Sequence, residues 1–186
     1  MSTSKTTLIL CSVGFFVLGA VAALVGEHLL YKPTDLRDTM QTIAVMKDWR
    51  MSCPPRTQKD GTCVLDQTIV QRGSNNPLAQ LTIGQRDKGD VLAIIAPLGV
   101  LITPGLRFSV GTGQPIAIPY KTCLPAGCVA TVPLDAALST AMTQNAGGQI
   151  TVVAVVGKPI PLNFSLRGLP DALAARAADM KARKEH

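Results

Sequence analysis

A long uncharged segment at the N-terminus limits the architectures open to this chain. No charged residue occurs from Thr6 to Gly26, and leucine, isoleucine, valine and phenylalanine dominate the stretch. At about 1.5 Å of rise per residue, a helix of this length crosses the roughly 30 Å hydrocarbon core of a bilayer. The sequence therefore predicts a single N-terminal transmembrane helix over residues 6–30. Its anchoring residues include Leu8, Phe15, Phe16, Gly19 and Leu24.

The same segment also has features of a cleavable signal peptide. Lys5 supplies a basic flank, and Ala20, Val21 and Ala22 resemble a small-residue cleavage site. The apolar core of a signal peptide is usually about 7 to 15 residues long. This run is longer and continues without a helix breaker, so a retained anchor is the favoured interpretation and cleavage is the alternative.

The cysteines indicate an oxidising compartment. Cys53, Cys63, Cys123 and Cys128 form an even set with two short spacings, which is typical of disulfides in exported proteins. Four cysteines allow three pairings, and we favour Cys53 with Cys63 and Cys123 with Cys128 because each closes a local loop. The remaining cysteine, Cys11, is expected to be an apolar filler in the membrane segment.

These features predict a single-pass membrane protein. Lys5 gives a short positive flank, so residues 1–5 are expected in the cytoplasm and the folded domain on the opposite, oxidising side of the membrane. The more polar residues 31–47 are predicted to form a juxtamembrane stalk or short helix. The folded domain is predicted over residues 48–168, and residues 169–186 are predicted to be a C-terminal helix and basic tail.

Period-two patterns in the domain predict a mainly β fold. In the clearest hairpin, apolar residues alternate from Ile150 to Val156 and again from Ile160 to Leu166. Pro159 and Pro161 lack backbone donors, so the second of these strands is expected at the edge of a sheet. The expected architecture is a small β-sandwich or barrel-like domain with one or two short helices.

The C-terminal helix is predicted from Pro170 to about Lys184, with a thin apolar stripe. That stripe consists of Leu169, Leu173, Ala177 and Met180. The basic residues near its end are expected to be solvated, and contact with anionic lipid or an acidic partner is the less favoured alternative. These residues are Lys181, Arg183 and Lys184.

The residues that could carry chemistry argue against an enzyme. His28 lies beside the membrane run and His186 ends the chain, so neither is placed to act as a general base within the domain. The cysteine spacings match no usual zinc pairing, and scattered basic residues with few aromatic residues argue against nucleic acid. We therefore predict no catalytic residue, cofactor, metal or small-molecule substrate. Trp49 and Tyr120 are expected to be structural anchors.

Several motifs occur in a fixed order: DW at 48–49, APLGVL at 96–101, CLPAGC at 123–128, PLDAAL at 133–138 and SLRG at 165–168. Together these motifs resemble the invasion-associated locus B family. The resemblance covers about residues 48–178 and implies an exported alphaproteobacterial protein with a small β-rich domain. With the predicted anchor retained, this source implies a single-pass protein of the inner membrane whose folded domain lies in the periplasm. The family name comes from a role in host-cell invasion, and no reaction is firmly attached to it. The long anchor departs from the family, in which a cleavable signal peptide is typical.

Three functions are compatible with these observations. The favoured hypothesis is a noncatalytic accessory or interaction subunit that docks on a larger inner-membrane complex, either respiratory or photosynthetic. The alternative is a secreted or surface invasion-associated protein whose hydrophobic segment is removed. A thiol oxidoreductase using Cys123 and Cys128 is less favoured because their spacing differs from that of thioredoxin-like sites.

Overall fold

A computed structural model describes residues 40–58, 61–86 and 89–185. The predicted transmembrane helix over residues 6–30, with its anchoring residues Leu8, Phe15, Phe16, Gly19 and Leu24, lies outside this part of the chain, and so does the predicted cytoplasmic N-terminus. Within the described ranges, every helix is too short or too polar to cross a membrane.

The larger of the two sheets has seven strands, and each hydrogen-bonded pair in it is antiparallel. Its strand order is β1-β2-β3-β4-β5-β9-β8. The strands are β1 (Gln41–Met46), β2 (Trp49–Cys53), β3 (Val64–Val70), β4 (Pro77–Arg86), β5 (Gly89–Ala96), β8 (Tyr120–Leu124) and β9 (Gly127–Pro133).

The smaller sheet has four strands in the order β11-β10-β6-β7. They are β6 (Leu106–Val110), β7 (Ile116–Ile118), β10 (Gly147–Val153) and β11 (Pro159–Ser165). Helix α1 (Ala136–Gln144) connects β9 to β10, and helix α2 (Leu169–Lys184) follows β11. The fold is therefore a β-sandwich with two short helices, and β11 lies at a sheet edge as its prolines predicted.

Alternation along the strands builds the core between the sheets. Leu92 and Ile94 of β5 are fully buried, as is Ile150 of β10, while their sequence neighbours are more exposed. Phe108 and Phe164 stack across the smaller sheet with ring centroids 5.3 Å apart. The two disulfides add local cross-links, and the structure has the pairing that was favoured from the sequence. These bonds are Cys53–Cys63 and Cys123–Cys128.

The predicted boundary between stalk and domain was wrong. Residues 41–46 fall in the predicted stalk, yet they form β1, which pairs with β2 from Gln41↔Cys53 to Met46↔Trp49. The strand is at an edge and most of its residues are exposed, so it lacks the apolar alternation that marks a half-buried strand. Strand β4 was also missed, although its buried residues Ala79, Leu81 and Ile83 alternate with less buried ones in the pattern of a half-buried strand.

The predicted apolar stripe of the C-terminal helix was partly wrong. Leu169 is buried as expected, but Ala177 is exposed. The buried positions that follow are Ala172, Arg176 and Arg183, so the inward face carries two arginines. The expectation of a fully solvated basic end is therefore corrected at Arg183.

Candidate functional site

Helix α2 is fastened to the Cys53–Cys63 loop by a buried arginine. Arg176 is 3% exposed, and its Nε donates to the carbonyl oxygen of Cys63 at 2.8 Å. Its two terminal nitrogens donate to the carboxylate of Asp90 at 2.7 and 2.9 Å. This bidentate pair connects the helix to the start of β5, and such fork-like geometry is the strongest form of ion pair.

A second arginine, two helical turns after Arg176, also joins the helix to the disulfide loop. Arg183 pairs with Asp179 of its own helix and donates to the carbonyl oxygen of Pro54 at 2.9 Å. Asp179 also pairs with Arg56 in the disulfide loop, at 3.3 Å. The disulfide loop is therefore held against the helix by charged side chains from both the loop and the helix.

Three side chains at this junction lie close enough to hold a metal ion, but none of them has a free ligand atom. Cys53, Cys63 and Asp179 place a ligand atom each within 4.8 Å of one another. Both sulfurs are committed to a disulfide, and the carboxylate is committed to two guanidinium groups. Asp179 Oδ2 lies 3.0 Å from Cys63 Sγ, which has no proton to donate. The cluster is a structural joint in the oxidised protein.

An open groove of about 340 Å³ lies where β3 of the larger sheet meets β11 of the smaller sheet. One side is formed by β3 and the other by the end of β11. The lining residues are Asp48, Gln67, Thr68, Ile69, Val70, Asn163, Phe164 and Ser165. Strand β2 covers β3 only from Val64 to Asp66, so the last residues of β3 extend beyond their neighbour on that side.

A buried glutamine fixes one end of the groove. The Gln67 side chain donates to the carbonyl oxygen of Asp48 at 3.0 Å and accepts from the backbone N–H of Ser165 at 3.1 Å. The Ser165 hydroxyl donates to Asp48 at 2.6 Å, and the Trp49 indole donates to the Ser165 carbonyl oxygen at 3.1 Å. Ser165 is thus bonded to the larger sheet through both of its backbone groups.

The backbone direction of Ser165 determines which residues of β11 face the groove. Leu166 directs its N–H to Ala146, on the β10 side, whereas Ser165 directs its N–H to Gln67. Backbone groups of an antiparallel strand alternate between its two sides, so Asn163 faces outward like Ser165. Pro159 and Pro161 share that side but have no N–H. Asn163 consequently supplies the one donor of the β11 edge that the described residues leave without a partner.

The other residues predicted from the sequence lie in the core or at a hairpin end. Trp49 is fully buried, and Cys128 is buried while Cys123 is exposed at the β8–β9 turn. Tyr120 packs against the core, but its hydroxyl is buried with no hydrogen-bond partner among the described residues. Burial raises the pKa of this hydroxyl.

Sequence reasoning missed both the arginine cluster and the groove. Arg176 and Arg183 are seven positions apart and share a helical face with Asp179, a spacing that two turns of helix provide. Their partners outside the helix are more than 80 positions away in the chain, so the attachment of the helix to the rest of the domain had no local sign. The groove depends on where two strands end, which the hydrophobic pattern does not encode.

Comparisons with known proteins agree with the fold and the motifs. The family model described as invasion associated locus B (IalB) protein matches residues 49–177. An invasion protein B homolog from Brucella abortus (strain 2308) is 30% identical over 131 residues, covering 68% of this chain and 74% of the relative. A homolog from Brucella abortus biovar 1 (strain 9-941) matches to the same extent.

A crystal structure resembles the domain as well. It is that of invasion associated protein b from Bartonella henselae, with a TM-score of 0.66 and 21% sequence identity. The match covers 75% of this chain and 97% of that one. At this identity the likeness establishes a shared fold.

Proposed function

The chain belongs to the invasion-associated locus B family, and from that premise we propose that it is a noncatalytic interaction subunit that binds an extended segment of a partner protein in the groove between β3 and β11. The observation that carries the proposal is the outward-facing backbone of Asn163 beside an open groove. A peptide strand laid along β11 gains hydrogen bonds at this residue, as in other cases of strand addition to a sheet edge.

The two prolines make this edge selective. Carbonyl oxygens at Pro159 and Pro161 accept hydrogen bonds from an added strand, but neither residue donates one. An incoming strand is therefore anchored by a donor and an acceptor only at Asn163, which fixes its register. Prolines on an edge also restrain unspecific pairing between copies of the domain.

The proposal of a noncatalytic role rests on how the charged groups are used. Arg176, Arg183 and Asp179 are engaged in contacts that join a helix to a disulfide loop. The groove contains one carboxylate, Asp48, which accepts a hydrogen bond from Ser165 and lies 3.6 Å from Arg167. An arrangement of this kind orders a surface, whereas general acid–base chemistry requires a titratable group free to exchange a proton.

The proposed site of action is the periplasmic face of the inner membrane, with the N-terminus in the cytoplasm. The hydrophobic segment over residues 6–30, which is uncharged from Thr6 to Gly26, carries this part of the proposal by serving as a retained anchor in the lipid bilayer. A tethered domain meets membrane partners at high effective concentration, so a larger inner-membrane complex, respiratory or photosynthetic, is the proposed partner. No cofactor, nucleic acid or small-molecule substrate enters the proposal.

The competing function is that of a secreted or surface invasion-associated protein. The names of the Brucella and Bartonella relatives favour it. The two functions differ in the fate of the hydrophobic segment. Intact-mass measurement of the chain from native cells separates them, since a full-length mass supports the anchored subunit and a start near Ala23 supports secretion.

Co-purification tests the groove itself. Asn163→Pro removes the free N–H without disturbing the β10 pairing, because that N–H points away from β10. Asn163→Ala is the matched control, since it keeps the backbone donor and removes only the side chain. After mild detergent extraction, we expect Asn163→Pro to reduce the recovered partner by about fivefold or more, as loss of one hydrogen bond implies. Equal recovery with both variants would contradict the proposal.

A further inference from the structure

One end of the sandwich exposes a group of aliphatic side chains, which we call the apolar tip. It is built from three turns, at residues 97–102, 124–126 and 154–157. Five aliphatic residues there are more than half exposed, and the most exposed is Val156 at 82%. The five are Leu98, Ile102, Leu124, Val155 and Val156.

Backbone contacts hold the three turns together. Val155 donates its N–H to the carbonyl oxygen of Gly99 at 2.9 Å, and Leu101 donates to that of Val153 at 2.8 Å. The third turn is joined through the pairing of Ala96 with Cys128. The three turns therefore lie together at one end of the sandwich, and exposed apolar residues gathered in this way mark interaction sites.

The charges around the apolar tip have one sign. From Val91 to Pro170 the chain contains a single carboxylate, Asp135. That residue follows the far end of β9, and the strand between the pairs Val91↔Pro133 and Ala96↔Cys128 spans roughly 17 Å. The basic residues nearest in sequence to the three turns are all exposed, and they are Arg107, Lys121 and Lys158. A surface of aliphatic residues bordered by cations is complementary to an anionic lipid headgroup layer.

We propose that the apolar tip inserts into the interfacial region of an anionic bilayer. Val155 and Val156 at the end of a hairpin enter below the headgroups, together with Leu98 and Leu124 on the neighbouring turns. Lys158 lies at the base of this hairpin, where its carbonyl oxygen accepts a hydrogen bond from the Ala154 N–H at 2.9 Å. Its ammonium group is therefore placed to contact lipid phosphate. This contact is independent of the groove between β3 and β11, so a partner protein and a lipid surface engage different parts of the domain.

Tryptophan fluorescence in vesicles tests the proposal. The full chain carrying Val156→Trp is combined with vesicles whose lipids have brominated acyl chains, either wholly zwitterionic or about one-third anionic. Ile116→Trp is the matched control because Ile116 is also an exposed aliphatic residue, at 46%, outside the apolar tip. Subtracting the emission of the parent chain removes the contribution of the buried Trp49.

We expect quenching of Val156→Trp in anionic vesicles to exceed that of Ile116→Trp by about threefold or more. Adding Lys158→Glu should reduce that quenching at least twofold. Equal quenching of the two probes would overturn the proposal, and so would quenching that is the same in zwitterionic and anionic vesicles. A change in the Val156→Trp emission in native membranes, with no quenching in pure lipid vesicles, would overturn the proposal in favour of a protein partner. Leu98→Trp is the second probe if Val156→Trp alters the far-ultraviolet circular dichroism spectrum.

Discussion

Arg176 donates a hydrogen bond to the carbonyl oxygen of Cys63 across 113 positions of the chain, at 2.8 Å. The contact ties the C-terminal helix to a disulfide near the start of the domain. Because the same guanidinium also holds Asp90, one side chain joins a helix, a loop and a strand. The helix is therefore part of the folding unit, and its arginines are structural.

Replacing Arg176 with leucine is expected to destabilise the domain by about 2 to 3 kcal/mol. The substitution leaves Asp90 without its partner and the Cys63 carbonyl oxygen without its donor, and breaking a buried pair has a large cost. We place the loss below that of a fully buried pair because Asp90 is about one-third exposed. Urea denaturation measures it. Lys181→Ala on the same helix is the control, since its pair with Glu185 is exposed and should contribute less than about 0.5 kcal/mol.

The two disulfides should differ in what their removal releases. Cys53→Ser with Cys63→Ser is expected to cost about 3 kcal/mol, and Cys123→Ser with Cys128→Ser about 2 kcal/mol, because the first closes the longer loop. Amide hydrogen exchange gives the sharper contrast. Only the first pair of substitutions should accelerate exchange in α2, whose arginines bind the Cys53–Cys63 loop. Equal acceleration by both pairs would show that the helix is not held by that loop.

Tyr120→Phe is expected to stabilise the domain by about 1 kcal/mol at neutral pH. The tyrosine hydroxyl is buried without a partner among the described residues, and an unsatisfied buried polar group has a desolvation cost. No change, or a loss of stability, on urea denaturation would mean that the hydroxyl has a partner in solution.

The same tyrosine should contribute a pH dependence in the alkaline range. Burial raises the pKa of Tyr120 in the folded state above its unfolded value of about 10. Both states hold the proton below that value, and above it the unfolded state ionises first. The free energy of unfolding therefore falls as the pH rises above about 10. Tyr120→Phe lacks this contribution, so its stability advantage over the parent chain should widen between pH 9 and 11.

The sequence was sufficient for those parts of the fold that local patterns determine. Alternating apolar residues identified the hairpin of β10 and β11, and two prolines placed β11 at an edge. The disulfide pairing followed from short spacings, since each bond closes a local loop. Sandwich and barrel were not distinguished, because both produce the same alternation and differ only in how strands far apart in the chain pair.

The errors came from polar residues whose partners are distant. Strand β1 has only exposed or partly buried side chains, so its place in the sheet depends on backbone pairing with β2. The basic composition of the helix end predicted that Arg183 would be solvated. Its side chain instead donates a hydrogen bond to a backbone carbonyl oxygen more than 100 positions earlier in the chain. The groove was not predicted because it arises where the C-terminal part of β3 extends beyond the first residue of its antiparallel neighbour β2.

Site-specific photo-crosslinking in native membranes tests the proposed interaction most directly. A photoreactive amino acid is placed at Val70, which lines the groove and is about half exposed, and at Ile116, which is exposed to a similar extent on β7. The account predicts that position 70 yields one discrete adduct with an inner-membrane protein, that Asn163→Pro removes it, and that position 116 yields none. An absence of adducts at position 70, or the same adducts at both positions, would contradict a partner in the groove.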